Sequence, residues 1–343
     1  MAGLAAQGRD ASACIRRFPV VSDLIVAVAD SPFPSLDPAE KVLRPLGARL
    51  RMSASASAED ILAAAGDADA LMVCYAKLPG DLIRLLERCK VIGRTGLGVD
   101  NIDLAAARER KIAVTYVPDY CMAEVSDHAM ALLLALARKV PFANALVQSG
   151  RWEMAAVAPI HRLAGQTLGL VGLGHIPRAL IPKAKAFGLR VLAHDPFIAR
   201  DAFAALGVEG VGFDALLASS DFVSIHAPLT PETRGLFNTS AFAKMKTGAW
   251  LINTARGPVI DEKALIEALD SGRLGGAALD VIETEPPPKD SPLIGRPNVV
   301  LTPHTAFYSV EALVELQTKC ATDIARVLSG QRPVYPAPGS ANI

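Results

Sequence analysis

Three side chains of complementary chemistry sit where an apolar run gives way to a loop. They are Arg256 in Asn253-Thr-Ala-Arg-Gly-Pro, Glu285 in Ala278-Leu-Asp-Val-Ile-Glu-Thr-Glu-Pro and His304 in Leu301-Thr-Pro-His-Thr. Arginine is a permanent cation with a planar fork of donors, suited to gripping a carboxylate or polarising a carbonyl oxygen. Histidine exchanges a proton near neutral pH. His304 can therefore take a hydroxyl proton as hydride leaves the carbon, or return it in reduction. A carboxylate at Glu285 beside that imidazole would hold its orientation and favour its protonated form, moving its pKa upward. Hydride transfer on a 2-hydroxy or 2-keto acid uses all three functions. Each residue alone has a plainer use: a surface ion pair for Arg256, a solvated loop position before three prolines for Glu285, a structural imidazole for His304. Their recurrence at successive strand ends, where open α/β sheets bind ligands, points to catalysis.

Hydride needs a carrier, and the segment Leu168–Asp195 has the layout to hold one. An apolar run (Leu168 to Val171) leads into Gly172-Leu-Gly174, a helix-like segment follows, and a second apolar run (Leu189 to Ala193) ends at Asp195. In such a strand–turn–helix–strand unit a dinucleotide's pyrophosphate lies over the glycine turn, and the acid accepts hydrogen bonds from the adenosine ribose. Gly172 permits the tight turn, and Gly174 lets the backbone approach the phosphates. The N–H groups at the helix start, His175 and Ile176, then face an anion. Asp195 would repel a 2′-phosphate, so NAD is expected rather than NADP. Pro177 stands where the usual motif has a third glycine and is tolerated in a helix's first turn, whereas Pro182 predicts a kink or a late helix start. His226 ends a strand and is expected near the cofactor through packing and backbone. His128, expected in a helix, and His161 and His175, expected in loops, are assigned no side-chain chemistry. No cluster has metal-ligand spacing.

The elements that must position these groups alternate along the chain. Leu24–Ala29, Ala48–Met52, Ala70–Cys74, Val91–Gly93 and Ala113–Val117 read as strands, with helical stretches between them such as Pro38–Leu46, Ala58–Ala65, Asp81–Glu87 and Leu104–Arg110. A long helix over Ala123–Arg138 should stop near Pro141, with a second over Phe142–Gln148. The alternation restarts with strands at Leu168–Val171, Arg190–His194, Phe222–His226, Ala249–Asn253, Gly276–Asp280 and Val299–Leu301, and closes on a helix over Val310–Leu328. The fold class is α/β: two doubly wound, Rossmann-like domains with mostly parallel sheets and a cleft between them. The last helix has no strand after it, so it is expected to return to the first domain and make that domain discontinuous. The expected boundaries are a loose extension over 1–22, a flavodoxin-like substrate domain over 23–117 and 309–335, a dinucleotide-binding domain over 118–308 and a tail over 336–343, with the proline-rich stretch Arg332–Ile343 expected to fray.

The chain has 343 residues, 51% hydrophobic, enough for about two cores, and 35 basic residues against 35 acidic. No net field favours nucleic acid or an anionic membrane. Cys14, Cys74, Cys89, Cys121 and Cys320 are dispersed and read as reduced thiols of a cytoplasmic protein. The apolar stretch Ala129–Ala137 is too short to span a bilayer, and the first residues lack the apolar core of a signal peptide.

Over residues 24–335 the chain resembles the D-isomer-specific 2-hydroxyacid dehydrogenase family. The matching segments are RTGLGVDNID (94–103), the dinucleotide turn (172–195), HAPLTPET (226–233), NTARGPVIDEKAL (253–265), GAALDVIETEP (276–286) and LTPH (301–304). By that resemblance Arg256, Glu285 and His304 are the family's catalytic Arg, Glu and His. Leu97, Gly98 and Val99 correspond to the loop whose amides hold the substrate carboxylate. Asp280 and the Thr254–Ala255 backbone correspond to groups that hold the nicotinamide carboxamide. The resemblance implies an oxidoreductase moving hydride between NAD(H) and a D-2-hydroxy or 2-keto acid, and a homodimer formed through the helix pair 123–149. Tyr75 and Arg94, each at a strand end of the first domain, either contact substrate or serve structure.

Phe307-Tyr308 replaces the small residues of many relatives. With PDYC (118–121) it resembles bacterial relatives of the C-terminal-binding protein branch, which includes transcriptional corepressors. The aromatic pair either walls a pocket for an apolar or bulky substrate side chain, in preference to phosphoglycerate, or packs the hinge. An NAD(H)-responsive binding protein would need the same glycine turn, but not Arg256, Glu285 and His304 together. Glu285 argues against a formate enzyme, and a phosphite-type dehydrogenase stays open.

Overall fold

The computed structural model describes residues 23–340. The extension expected over 1–22, with Cys14, lies outside them, as do residues 341–343. The chain forms two compact units, one from Cys121–Ala312 and one from the flanking segments up to Tyr120 and from Leu313 onward.

The flanking unit alternates β1 (Ile25–Val28), α1 (Asp37–Leu43), β2 (Arg49–Met52), α2 (Ala58–Ala65), β3 (Ala70–Val73), α3 (Gly80–Arg84), β4 (Val91–Arg94), α4 (Leu104–Glu109) and β5 (Ala113–Thr115). Side-chain oxygens cap helix starts as the sequence invites: Ser57 accepts from the Asp60 amide and Asp103 from the Ala106 amide. The strands pair in parallel in the order β2-β1-β3-β4-β5. The direction of winding reverses between β1 and β3, where an open sheet leaves a crevice. Asp30, just past β1, closes the backbone there. Its carboxylate accepts from the amides of Cys74 (2.8 Å) and Tyr75 (2.6 Å).

The central unit holds α5 (Met122–Ala137), α6 (Val140–Gln148), β6 (Thr167–Val171), α7 (His175–Ala186), β7 (Arg190–His194), α8 (Arg200–Ala205), β8 (Glu209–Gly210), α9 (Phe213–Ser219), β9 (Phe222–Ile225), α10 (Thr239–Lys244), β10 (Ala249–Asn253), α11 (Glu262–Asp270), β11 (Leu274–Leu279) and β12 (Val299–Leu301). Its seven strands are parallel in the order β12-β11-β10-β9-β6-β7-β8, with the reversal between β6 and β9. Apolar side chains cover both faces of this sheet. One core gathers around Val223, Leu251 and Phe237, the other around Leu170, Val191 and Leu133. Leu170 and Leu133 belong to a cluster that also takes in Leu180 and Ile181 of α7.

Three expectations need correction, and one strand, β8, is unexpected. Pro141 does not stop the first long helix. That helix ends at Ala137, Lys139 adopts a left-handed conformation (φ 51°), and Pro141 sits in the first turn of α6, where its missing N–H costs nothing. The two helices turn by 59° there, and no single helix among the described residues is long and apolar enough to cross a membrane. β8, a two-residue exposed strand, has no apolar pattern to reveal it. His175 is not in a loop but opens α7, and α7 starts there rather than late. Pro177 occupies its first turn and Pro182 lies inside it, while Pro177, Leu180, Ile181 and Ala184 are buried. The proline-rich end does not fray within the described residues. The amides of Val334 and Tyr335 donate to Asp323 at 2.7 and 2.8 Å, Tyr116 donates to the Tyr335 carbonyl, and Ala337 donates to Val114. This segment runs antiparallel along the edge of β5.

α12 (Val310–Leu328) belongs to the flanking unit from Leu313 onward. It packs so closely on β4 that a Cβ on Gly93 would lie 2.7 Å from Ile324 Cδ1 and 2.9 Å from Cys320 Sγ. Gly93→Ala is expected to destabilise this unit by about 2 kcal/mol through overpacking. A lowered urea midpoint would show it, and an unchanged midpoint would contradict the tight packing.

Candidate active site

The glycine turn is built as the anion-binding reading requires. Gly172 has φ 95°, and a Cβ there would lie 2.9 Å from the His226 carbonyl carbon and oxygen, so both conformation and space demand glycine. Among the described residues nothing lies within 4 Å of the point where a Cβ on Gly174 would sit. Among the described residues no side chain caps the start of α7, and Pro177 has no N–H, which leaves the His175 and Ile176 amides to meet an anion. Asp195 braces the turn. Its carboxylate accepts from the Leu173 amide at 2.9 Å and the Phe197 amide at 3.0 Å, while Gly172 donates to the His194 carbonyl at 2.8 Å. The acid expected to meet a ribose therefore also ties the end of β7 to the turn after β6.

Arg256, Glu285 and His304 follow β10, β11 and β12, which are neighbours in the sheet. Asn253, fully buried at the end of β10, shapes the first loop. Its Oδ1 accepts from the Ala255 amide and its Nδ2 donates to the Arg256 carbonyl, both at 2.9 Å. Arg256 Nη1 donates to the Ala255 carbonyl at 2.8 Å. A Cβ on Gly257 would overlap the Ile282 carbonyl, so the Arg256 loop and the loop that carries Glu285 are pressed together. Glu285 uses both oxygens. Oε1 accepts from the Ile282 amide at 3.1 Å, and Oε2 lies 2.7 Å from His304 Nδ1. The imidazole thus has one nitrogen engaged by a carboxylate, the arrangement that orients a proton-transfer group. Phe307 meets the imidazole edge-on, with centroids 6.2 Å apart and the rings at 83°.

His304 has φ 52°, a left-handed conformation that costs a non-glycine residue about 1 kcal/mol. Asp280 supports it. The His304 amide donates to the Asp280 carbonyl at 2.9 Å. The Asp280 carboxylate, only 2% exposed, accepts from the Thr305 and Ala306 amides (both 2.9 Å) and from the Thr302 hydroxyl (2.5 Å). His128 of α5 reaches the same group, with Nε2 3.0 Å from Thr302 Oγ1 and 3.5 Å from Asp280 Oδ1. Sequence reasoning set His128 aside, and nothing local marks a contact between residues 174 positions apart. Thr254 Oγ1 is buried without a hydrogen-bond partner among the described residues. An open cradle at Gly174, uncapped amides and an orphaned hydroxyl in the loop after β10 fit a dinucleotide held along these strand ends.

In the flanking unit, Tyr75 is exposed and its loop is held by Asp30 and by Asn101, whose Nδ2 donates to the Cys74 and Ala76 carbonyls. Leu97 is exposed, and Gly98 and Val99 are half-buried. Arg94, 8% exposed, is turned inward. Nη1 donates to the Thr95 carbonyl at 2.7 Å, and a Cβ on Gly96 would overlap it. The guanidinium thus shapes the loop that begins at Thr95, and the position two residues on must be glycine.

His226, half-buried after β9, has Nε2 2.9 Å from Ser224 Oγ, and its enclosure pushes the imidazole pKa down to about 4. It is neutral at physiological pH. The unfolded chain protonates this residue near 6.5, before the folded one does. Its contribution to stability is therefore complete above that pH and is lost as pH falls toward 4, by about 3 kcal/mol at most. Urea unfolding of the wild type and His226→Asn between pH 7 and 5 should show a smaller fall in the variant. Parallel pH profiles would remove this role.

Residues 130–306 match the D-isomer specific 2-hydroxyacid dehydrogenase, NAD binding domain. The chain is 40% identical over 289 residues to the D-3-phosphoglycerate dehydrogenase of Archaeoglobus fulgidus, a match covering 84% of this chain and 55% of that protein. The chain thus spans little more than half the length of such curated relatives. Among solved structures, a Thermus thermophilus protein superposes with a TM-score of 0.84 at 35% identity, covering 92% of this chain and 100% of that one. The D-lactate dehydrogenase of Aquifex aeolicus, solved with NAD and lactic acid, superposes with a TM-score of 0.80 at 28% identity, covering 89% of this chain and 96% of that one. With its two parallel sheets and its glycine turn at the β6–β9 reversal, the chain belongs to the D-isomer-specific 2-hydroxyacid dehydrogenase family, and the unit described above is its NAD-binding domain.

Proposed function

We propose that the protein is an NAD-dependent dehydrogenase interconverting a D-2-hydroxy acid and the matching 2-keto acid. The observation that carries this reading is the Glu285–His304 pair at 2.7 Å, on a loop packed against that of Arg256 in the NAD-binding unit. When bound, the nicotinamide supplies the hydride in reduction and takes it in oxidation. The Gly172–Gly174 turn, the His175 and Ile176 amides and Asp195 hold the dinucleotide, with Thr254, Ala255 and Asp280 toward its carboxamide. Arg256 draws the substrate's carboxylate and carbonyl oxygen by charge-assisted hydrogen bonds. His304 gives a proton to the oxygen in reduction and removes it in oxidation, while Glu285 holds the imidazole in place.

For the substrate side chain, Phe307 against the imidazole favours an apolar group, whereas the names of the curated relatives favour a phosphorylated one. Steady-state oxidation of NADH and NADPH with pyruvate, phenylpyruvate and phosphohydroxypyruvate decides between them. NADH is expected to be preferred, with phenylpyruvate the better substrate. His304→Gln should lower kcat by about 10²–10⁴-fold with NADH affinity kept. Turnover with none of the three acids, or intact turnover without the imidazole, would sink the proposal.

We further propose a homodimer through the α5–α6 region, and the cytoplasm as its compartment. The exposed side chains Val140, Val147, Trp152 and Met154 support the first. The second is supported by Cys74, Cys89 and Cys320, which stand as buried thiols rather than disulfides. Light scattering should return twice the chain mass of 36.0 kDa, and a monomer mass would contradict the dimer.

A further inference from the structure

We propose that His128 and Thr302 are positioning residues for His304, acting through the buried carboxylate of Asp280. The inference rests on the dehydrogenase reading above. Proton counting gives the chain of bonds its direction. A threonine hydroxyl has one proton, and a carboxylate oxygen accepts. At 2.5 Å from Asp280 Oδ1, the Thr302 hydroxyl gives its proton to that oxygen. Its lone pair then receives the N–H of His128 Nε2 at 3.0 Å. The same Oδ1 accepts from Thr305, Oδ2 accepts from Ala306, and the main-chain carbonyl of Asp280 accepts from His304 itself. Residues 302–306 are thereby wrapped around one acid that is 2% exposed, with His304 held in its left-handed conformation at the centre of the wrap. His128 is the element of this network that comes from outside the loop. It fixes Thr302's hydroxyl from α5, a helix packed on β10, β11 and β12. Neither His128 nor Thr302 needs to touch substrate. Their effect is the aim of the imidazole that Glu285 holds at its other end.

The test uses the full chain with Thr302→Val, Thr302→Ser, His128→Leu and the double variant Thr302→Val/His128→Leu. Thr302→Val and His128→Leu are each expected to lower kcat about 10- to 100-fold, the cost of misplacing a reacting group, with KM for NADH unchanged within about twofold. The double variant should be no worse than the poorer single one, because both remove the same chain of bonds. Thr302→Ser keeps the hydroxyl and should restore most of the rate. The readout independent of turnover is the pair of His304 imidazole nitrogen resonances in coenzyme-free protein, assigned by their loss in His304→Gln. They should move in Thr302→Val and stay in Thr302→Ser. Multiplying effects in the double variant, or His304 resonances unmoved by Thr302→Val, would overturn the proposal. If the wild type reduces no keto acid, the enzymatic reading fails, and the resonances still decide whether this network sets the imidazole.

Discussion

A carboxylate shut away from water must collect donors, and Asp280 does so with the loop that carries His304. Removing any single donor would leave a buried charge short of a partner, a penalty of about 1–3 kcal/mol. The loop therefore has few alternatives. The left-handed backbone of His304 is one product of this constraint, because the chain must turn sharply for its amide and those of residues 305 and 306 to reach the same residue. Local strain at the reacting group is offset by hydrogen bonds a few residues away.

Close backbone approach is the second organising device, and it recurs wherever two loops must share one place. Gly172 abuts the His226 backbone, Gly257 abuts Ile282, and Gly96 lies against the Arg94 guanidinium. In the first two cases a side chain would push apart two segments whose polar groups are aimed at the strand ends, and in the third it would displace the guanidinium of its own loop. The aim is then inherited by whatever those segments carry: helix-start amides after Gly174, and the guanidinium and carboxylate of Arg256 and Glu285.

Much of this was legible in the sequence, for physical reasons. Parallel strands covered on both faces read as short apolar runs, which is why β7 and β10 were placed with their observed ends, and the half-buried edge strand β12 keeps the same apolar run. The Glu285–His304 contact was legible because both residues follow strands that proved to be neighbours. What escaped depends on distant partners or lacks a hydrophobic signal. β8 pairs through the backbone of Glu209 and Gly210, neither of which is buried. Asp280 reads by resemblance as a cofactor group, and its second set of contacts, donors from residues 302–306 and a histidine on α5, has no local mark. The sequence leaves Arg94 between contacting substrate and serving structure, and the local clue to its inward turn is the glycine two positions later.

The segment Val334–Ser340 shows how a polar, proline-rich stretch can protect a sheet. A five-stranded parallel sheet ending at β5 would otherwise offer a bare ladder of amides and carbonyls to any passing chain. Here that ladder is taken by Tyr335 and Ala337, clamped from one side by Asp323 and from the other by Asp119, whose carboxylate accepts from the Tyr335 hydroxyl at 2.6 Å. Pro336, between Tyr335 and Ala337, has its backbone turned away from β5 and has no N–H to offer there. A second chain arriving at this border would meet a proline where a strand would offer a donor, so the segment leaves no continuous ladder for pairing at the β5 edge.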